Sequence, residues 1–263
     1  MTAVDASSPR STRSRALFGA STPAVRRATL QVLVFLAVLL VLPQVLSSFW
    51  IQILTSVAIY SIVALSLAML MGRVGLVSLC QIALLAVGGW VALRLGFGFG
   101  EWLPFPVLLL ATSVITAGIG TLIGLPALRL SGLHLALITL MAAAALTQIL
   151  QAINFPNGGP GFLGYSQAAA GSVAASVTRP PLLSSDAAYY RVVVLVAALM
   201  FGIGIAHVRS KAGRAWAAIR QSEMAAVSAG VNVTLYKLWA FALASFMTGA
   251  AGCLLAASAG GLT

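Results

Sequence analysis

Seven nearly unbroken apolar stretches constrain this chain more than any other feature. They run over 30–49, 51–71, 76–95, 103–125, 133–153, 190–208 and 235–257, each close to the roughly 20 residues that carry a helix across a hydrocarbon core. Water cannot be the main solvent for such a chain. Hydrophobic residues make up 60% and charged residues 7%, with a mean hydropathy of +1.04, whereas soluble domains carry about a quarter charged residues. Lipid must cover the surface, and the fold class that follows is all-α, a polytopic transmembrane helical bundle of about seven spans. The first two stretches touch at Ser47-Ser48-Phe49-Trp50, so either a tight hairpin joins them or one is tilted or broken. The first stretch exceeds a signal-peptide core and no small-x-small cleavage site follows it, so it reads as a span.

Charge sets the orientation. A net charge of +11 in a soluble chain would suggest nucleic acid as a partner, but here the cations sit at the ends of the apolar stretches, where Lys and Arg favour the cytoplasm. With the N-terminus inside, Arg10, Arg13, Arg15, Arg26, Arg27, Arg73, Arg129, Arg209, Lys211, Arg214, Arg220 and Lys237 are cytoplasmic, against Arg94, Arg179 and Arg191 outside. Residues 1–28, basic and without a repeating apolar face, are expected to be a disordered cytoplasmic arm, and 29–263 the membrane domain. Cys80 and Cys253 lie far apart inside apolar stretches with no CxxC and no neighbouring His, which reads as two small buried side chains without a metal or disulfide.

Two connections are longer than turns. Residues 154–189, rich in Gly, Pro, Ser and Ala, face the exterior in this topology, and 209–234 face the cytoplasm. Within the second, the Ala-rich segment 211–230 predicts a helix over 214–229, opened after Gly213 and stopped by Gly230. Trp216, Ile219, Glu223, Ala226 and Val227 fall on one face by the helical period. Arg220 and Glu223, three apart, pair across a turn, leaving Arg214 and the Trp216 ring as outward anchors. Such a face suits docking of a partner, and it equally suits a helix lying on lipid headgroups.

Ser78, Gln81, Thr139, Gln148 and His134 are polar groups at or within the spans. They either line a translocation route or hydrogen-bond between helices. Gly72, Gly75, Gly88 and Gly89 either mark a broken helix near a binding site or let helices approach closely. No G-x-x-x-x-G-K-[ST] occurs, so a phosphate-cradling loop for ATP hydrolysis is missing. No span holds a carboxylate: Asp5, Glu101, Asp186 and Glu223 all fall in the arm or connections, which counts against a proton- or sodium-coupled carrier. No Ser/His/Asp or Cys/His constellation can be assembled, which counts against a membrane enzyme, and the remaining non-transport reading is an assembly factor.

Several segments resemble one known family when taken together. Gly213-Arg-Ala, followed by Ala218-Ile-Arg220, Glu223, Ala225-Ala226 and Gly230, is similar to the cytoplasmic coupling loop of branched-chain amino acid ABC importer permeases. Gly75-Leu-Val-Ser-Leu-Cys-Gln81 with Gly88-Gly89-Trp90 resembles a second stretch, with Cys80 where the family has Gly. Leu128 to Leu140, the loop Asn157-Gly158-Gly159-Pro160-Gly161 (Asn157 standing where Thr is usual), Lys237-Leu238 with Ala240-Phe241, and Gly249-Ala-Ala-Gly252 extend the likeness over about 54–263. The resemblance implies a multi-pass permease of the bacterial inner membrane. Gly213, Arg214, Trp216, Ile219, Arg220, Glu223, Ala226 and Gly230 would seat against an ATP-binding subunit. Ser78, Gln81, Gly88, Gly89, Thr139 and Gln148 are candidates for the path. It further implies a second homologous permease, an extracytoplasmic solute-binding protein, and ATP and Mg held by the partner rather than by this chain, which needs no cofactor or metal. Relatives carry leucine-like amino acids, urea, amides or aromatic acids. They continue through further spans, so the resemblance also implies that Thr263 falls short of a complete permease domain.

Overall fold

In the computed structural model, the residues described are 38–99, 103–127, 133–152 and 185–259. They form helices: α1 (Leu42–Val45), α2 (Ser48–Met69), α3 (Gln81–Phe99), α4 (Phe105–Ala127), α5 (Leu133–Ala152), α6 (Asp186–Arg209), α7 (Lys211–Gln221), α8 (Glu223–Ser228) and α9 (Val233–Ala259). The chain is a helical membrane protein. Helices α2, α4, α6 and α9 are each long and apolar enough to cross a bilayer, while α3 and α5 are apolar and shorter over their described parts. The first predicted span lies mostly outside the described residues. Its end is broken where Pro43 opens α1 and Leu46 turns extended, so α2 starts afresh at Ser48.

Helices α2, α4 and α6 run antiparallel to α9, which runs up the middle. Of its apolar window 78% is buried, against 28–39% for α2, α4 and α6, so the outer three present apolar surface that only lipid or another membrane chain can cover. Val57 on α2, Leu122 on α4 and Leu199 on α6 are among these exposed groups. Small residues let α9 take that place. A Cβ on Gly252 would lie 2.4 Å from the Leu85 carbonyl oxygen and 2.7 Å from the Gly89 nitrogen, and one on Gly88 would lie 3.0 Å from Gly249 Cα. Backbones of α3 and α9 therefore touch, as membrane helices do where Gly faces Gly.

Along α4, which packs on the same stretch of α9, large meets small in turn. Phe241 fills the space at Gly124, Ser245 that at Gly120, and Thr116 that at Gly249. Polar links complete the ring around α9. Thr248 Oγ1 is 3.0 Å from Ser66 Oγ on α2, and the Tyr189 hydroxyl of α6 donates to the Leu254 carbonyl. Ile59, Ile62, Leu84, Leu93, Met247 and Leu254 fill the remaining core without exposed surface.

The predicted span over 76–95 needs correcting at its start. Helix α2 runs on into a π-helical turn (Leu70–Val74) that Gly75 ends in the left-handed conformation at φ +80°. Residues 76–80 then run non-helical and mostly buried, and α3 begins only at Gln81. A glycine is required at 75 because L side chains avoid that φ.

Candidate functional site

The segment 210–232 folds back on the end of the bundle as a helical hairpin, each of whose ends carries a local signal. Ser210 is the hinge: its hydroxyl donates to His207 O (2.7 Å) and accepts from the Ala212 N–H (3.2 Å). Helix α7 thus starts at Lys211, not after Gly213 as expected. Gly213 serves the turn instead, since a Cβ there would sit 2.0 Å from the Val208 carbonyl oxygen. The expected single helix over 214–229 is two helices. Ser222 is extended, at φ −161° and ψ 119°, and its side chain accepts from the Ala225 N–H to cap α8, the ordinary way a Ser opens a helix. Gly230 stops α8 as predicted, at φ +78°. The Val231 N–H bonds to Ala226 O and the Gly230 N–H to Val227 O, both at 2.9 Å, the pair that defines a Schellman stop. Asn232 Oδ1 then accepts from the Leu235 N–H (3.1 Å) and opens α9.

The apolar face of the hairpin points inward. Trp216, Ile219 and Ala226 are 0%, 3% and 1% exposed, so the Trp216 ring is an inward anchor, not the outward one expected. Its Nε1–H donates to Tyr236 O (2.9 Å) and its ring stacks against His207. Arg220 and Glu223 do not pair with each other, because the break at Ser222 takes them off a common helix. The Arg220 guanidinium donates to the Gly72 carbonyl of the π-helical turn. Glu223 Oε1 accepts from Lys237 Nζ at 2.6 Å, with the lysine side chain 4% and the glutamate side chain 49% exposed. Among the side chains that point outward are Arg214 and Gln221 on α7 and, on α8, Met224 at 81% and Val227 at 58% exposure, so Val227 does not share the buried face of Trp216 as expected. Sequence reasoning passed over Met224 and the partners of Arg220 and Glu223; Ser222 followed by Glu223 was the available signal, since a Ser before an acidic first turn marks a helix start.

Of the path candidates, three gather around the non-helical stretch at 76–80. The Leu79 N–H donates to Thr139 Oγ1 (3.1 Å), and that hydroxyl in turn donates to Ala136 O (3.0 Å). Ser78 Oγ lies 3.2 Å from Cys80 Sγ. Gln81 Oε1 accepts from Thr248 Oγ1 (2.7 Å), while the Gln81 amide nitrogen is buried without a hydrogen-bond partner. Ser66 and Thr248, absent from the sequence-based candidates, complete this cluster. Gly88 and Gly89 are helical and lie where α3 approaches α9. Gln148 is exposed on α5, away from the cluster, and His134 is exposed at the start of α5. Asn157, Gly158, Gly159 and Gly161 lie outside the described residues.

Two further recesses mark the ends of the bundle. A polar one of about 160 Å³ is lined by Gln52, Thr55, Ser56, Asp186, Tyr189 and Ser258, and Gln52 Nε2 donates to Asp186 Oδ2 (3.3 Å). An apolar one of about 440 Å³ lies beside the hairpin between Thr121, Ala212, Leu235, Tyr236 and Trp239. Among the described residues no group of His, Cys, Asp and Glu is arranged to hold a metal ion.

A family model described as "Branched-chain amino acid transport system / permease component" matches residues 49–263. The chain is 30% identical to the high-affinity branched-chain amino acid transport system permease protein LivM of Salmonella typhimurium, over 90% of this chain and 60% of that protein. It is 29% identical to the LivM of Escherichia coli over the same shares. It thus spans about 60% of the length of these curated relatives. No solved structure matches the chain.

Proposed function

The chain belongs to the branched-chain amino acid permease family, and from that premise we propose that it is the membrane-spanning permease subunit of an ABC importer for branched-chain or similar amino acids. The bare Met224 tip of a hairpin whose other face is locked to the bundle carries this reading. A docking element must be rigid on one side and desolvatable on the other. Trp216, Ile219 and Ala226 supply the rigid side. Met224 and Val227 supply a small exposed apolar knob on α8, and Arg214 an exposed cation on α7, suited to a groove in a cytoplasmic ATP-binding subunit. Glu223 and Arg220, which the resemblance places in the coupling element, act through the hairpin's attachment to the bundle.

In this reading the hairpin end of the bundle is cytoplasmic and the Asp186 end faces the exterior, in a bacterial inner membrane. A second permease covers part of the apolar surface of the outer helices, a solute-binding protein delivers the amino acid, and ATP and Mg are held by the partner ATPase. Closure of the ATPase dimer moves the hairpin, and the spans exchange outward for inward access. Two such states differ only as far as the partner binds one better than the other.

The test is reconstitution with the ATP-binding subunits. Met224→Asp places a charge on the knob without touching the inward face, so the chain should still insert and fold while co-purification of the ATPase and ATP-driven uptake of labelled leucine both fall by at least about tenfold, the effect of losing one packed anchor. Undiminished ATPase retention by both Met224→Asp and Val227→Asp would mean that the hairpin is a lipid-surface element and not a docking one.

A further inference from the structure

We propose that residues 70–80 form a relay between the hairpin and the buried Gln81 cluster, and that Arg220 is the positioning residue that drives it. The inference rests on the permease reading for its purpose and on geometry for its mechanism. The Arg220 guanidinium donates to the Gly72 carbonyl, and its Cγ lies so close that a Cβ on Gly75 would meet it at 3.3 Å. Thus one side chain of the hairpin grips both the π-helical turn and the left-handed glycine after it. A π turn widens a helix, holds its backbone less tightly than an α turn, and recurs at functional sites. Beyond it the chain runs non-helical to Cys80, although Leu76, Ser78 and Cys80 are 4%, 0% and 0% exposed.

Irregular backbone inside a membrane bundle persists only where protein buries it or it borders a cavity. Here it is held at few points: the Leu76 N–H on Leu70 O (3.0 Å), the Leu79 N–H on Thr139 Oγ1 (3.1 Å) and, at its far end, Gln81 on Thr248 (2.7 Å). Thr248 also approaches Ser66, so α2, α3 and α9 meet at one hydroxyl. The Gln81 side chain is 1% exposed, and Thr248 Oγ1, its partner, also lies 2.9 Å from Ala244 O, so the cluster is closed to water. A contact shared by three helices and reached from one end through a continuous segment is the kind of element through which sites couple. Displacing α7 moves Arg220, Arg220 carries Gly72 and Gly75, and the buried stretch to Gln81 transfers the shift to the contact among three helices.

Cys80 lies within the relay and reports on it. In a Cys253→Ala background, the rate of Cys80 alkylation by N-ethylmaleimide reads how often the segment opens. In the isolated chain, Arg220→Met should raise that rate about tenfold, the loss of one charge-assisted hydrogen bond. Arg220→Lys, which keeps a donor, should restore most of the protection, and Arg214→Met on the same helix should leave the rate unchanged. In the complex with its ATP-binding subunits, ATP with vanadate should change the Cys80 rate of the unmodified chain, and Arg220→Met should abolish that response while still retaining the ATPase. Equal Cys80 rates for the unmodified and Arg220→Met isolated chains, or a nucleotide response that survives Arg220→Met, overturns the relay. Failure of the unmodified chain to retain any ATPase overturns the permease–ATPase reading instead, and is distinguished by the isolated-chain rates.

Discussion

Gly252 is where an added methyl group has least room to go. Its Cβ would lie 2.4 Å from the Leu85 carbonyl oxygen and 2.7 Å from the Gly89 nitrogen, against an ordinary contact of 3.4 Å or more, so α3 and α9 must separate by about 1 Å. Neither obstacle is a side chain that can rotate away. The adjoining α4 contact leaves no slack either, because Thr116 and Ser245 already press against Gly249 and Gly120. Overpacking of this sort costs about 1–3 kcal/mol, while Ala in place of Gly returns up to about 1 kcal/mol in helix propensity. Gly252→Ala should therefore lose about 1–2 kcal/mol. Gly202, on α6 with nothing within 4 Å of its Cβ position, provides the matched control: Gly202→Ala should be neutral or stabilising. Unfolding of each purified variant by titration of SDS into mixed micelles, followed by tryptophan fluorescence, measures the difference. A Gly252→Ala chain no less stable than Gly202→Ala would refute the close approach of α3 and α9.

Three further outcomes are expected. Trp216→Phe removes the indole donor to the Tyr236 carbonyl while keeping an aromatic ring, and should cost about 1–2 kcal/mol in the same SDS titration; no loss would mean that the bond contributes nothing. The Glu223–Lys237 pair is asymmetric in burial, so Glu223→Gln, which strands an almost wholly buried ammonium, should destabilise more than Lys237→Met, which leaves a half-exposed carboxylate in water; the reverse order would refute the pairing. Single-cysteine Ser222→Cys, in a background lacking Cys80 and Cys253, should resist an impermeant maleimide added outside intact cells and react once the membrane is opened; labelling from outside would invert the proposed orientation.

Much of this protein is legible from residues alone, because a lipid solvent leaves the chain few choices. Apolar runs of span length predict helices, and the structure bears this out at α2, α4, α6 and α9, since in hydrocarbon the helix pairs its own polar groups. Gly230 announced a helix stop through a conformation only glycine takes easily, and the segments around Gly75, Gly213 and Gly249 carried the family resemblance. Local chemistry also held the break at Ser222, although the Ala-rich run around it read as one helix because propensity rewards continuity and a single cap is a weak local signal.

Only the tertiary structure decided which face of the hairpin is buried. Periodicity puts Trp216, Ile219 and Ala226 on one side of a helix, but it cannot tell whether that side meets this chain or another, and here α9 and the end of α6 claim it. Nor could spacing assign the charges: Arg220 and Glu223 are neighbours in sequence, yet Gly72 and Lys237 take them, 148 and 14 residues away. The same holds for Gly88 and Gly252. A glycine in a membrane helix is permissive until a second backbone arrives, and the sequence does not say which helix that will be. Side-chain identity sets what each helix can do locally, whereas the partners of its faces are fixed by long-range packing among several helices at once.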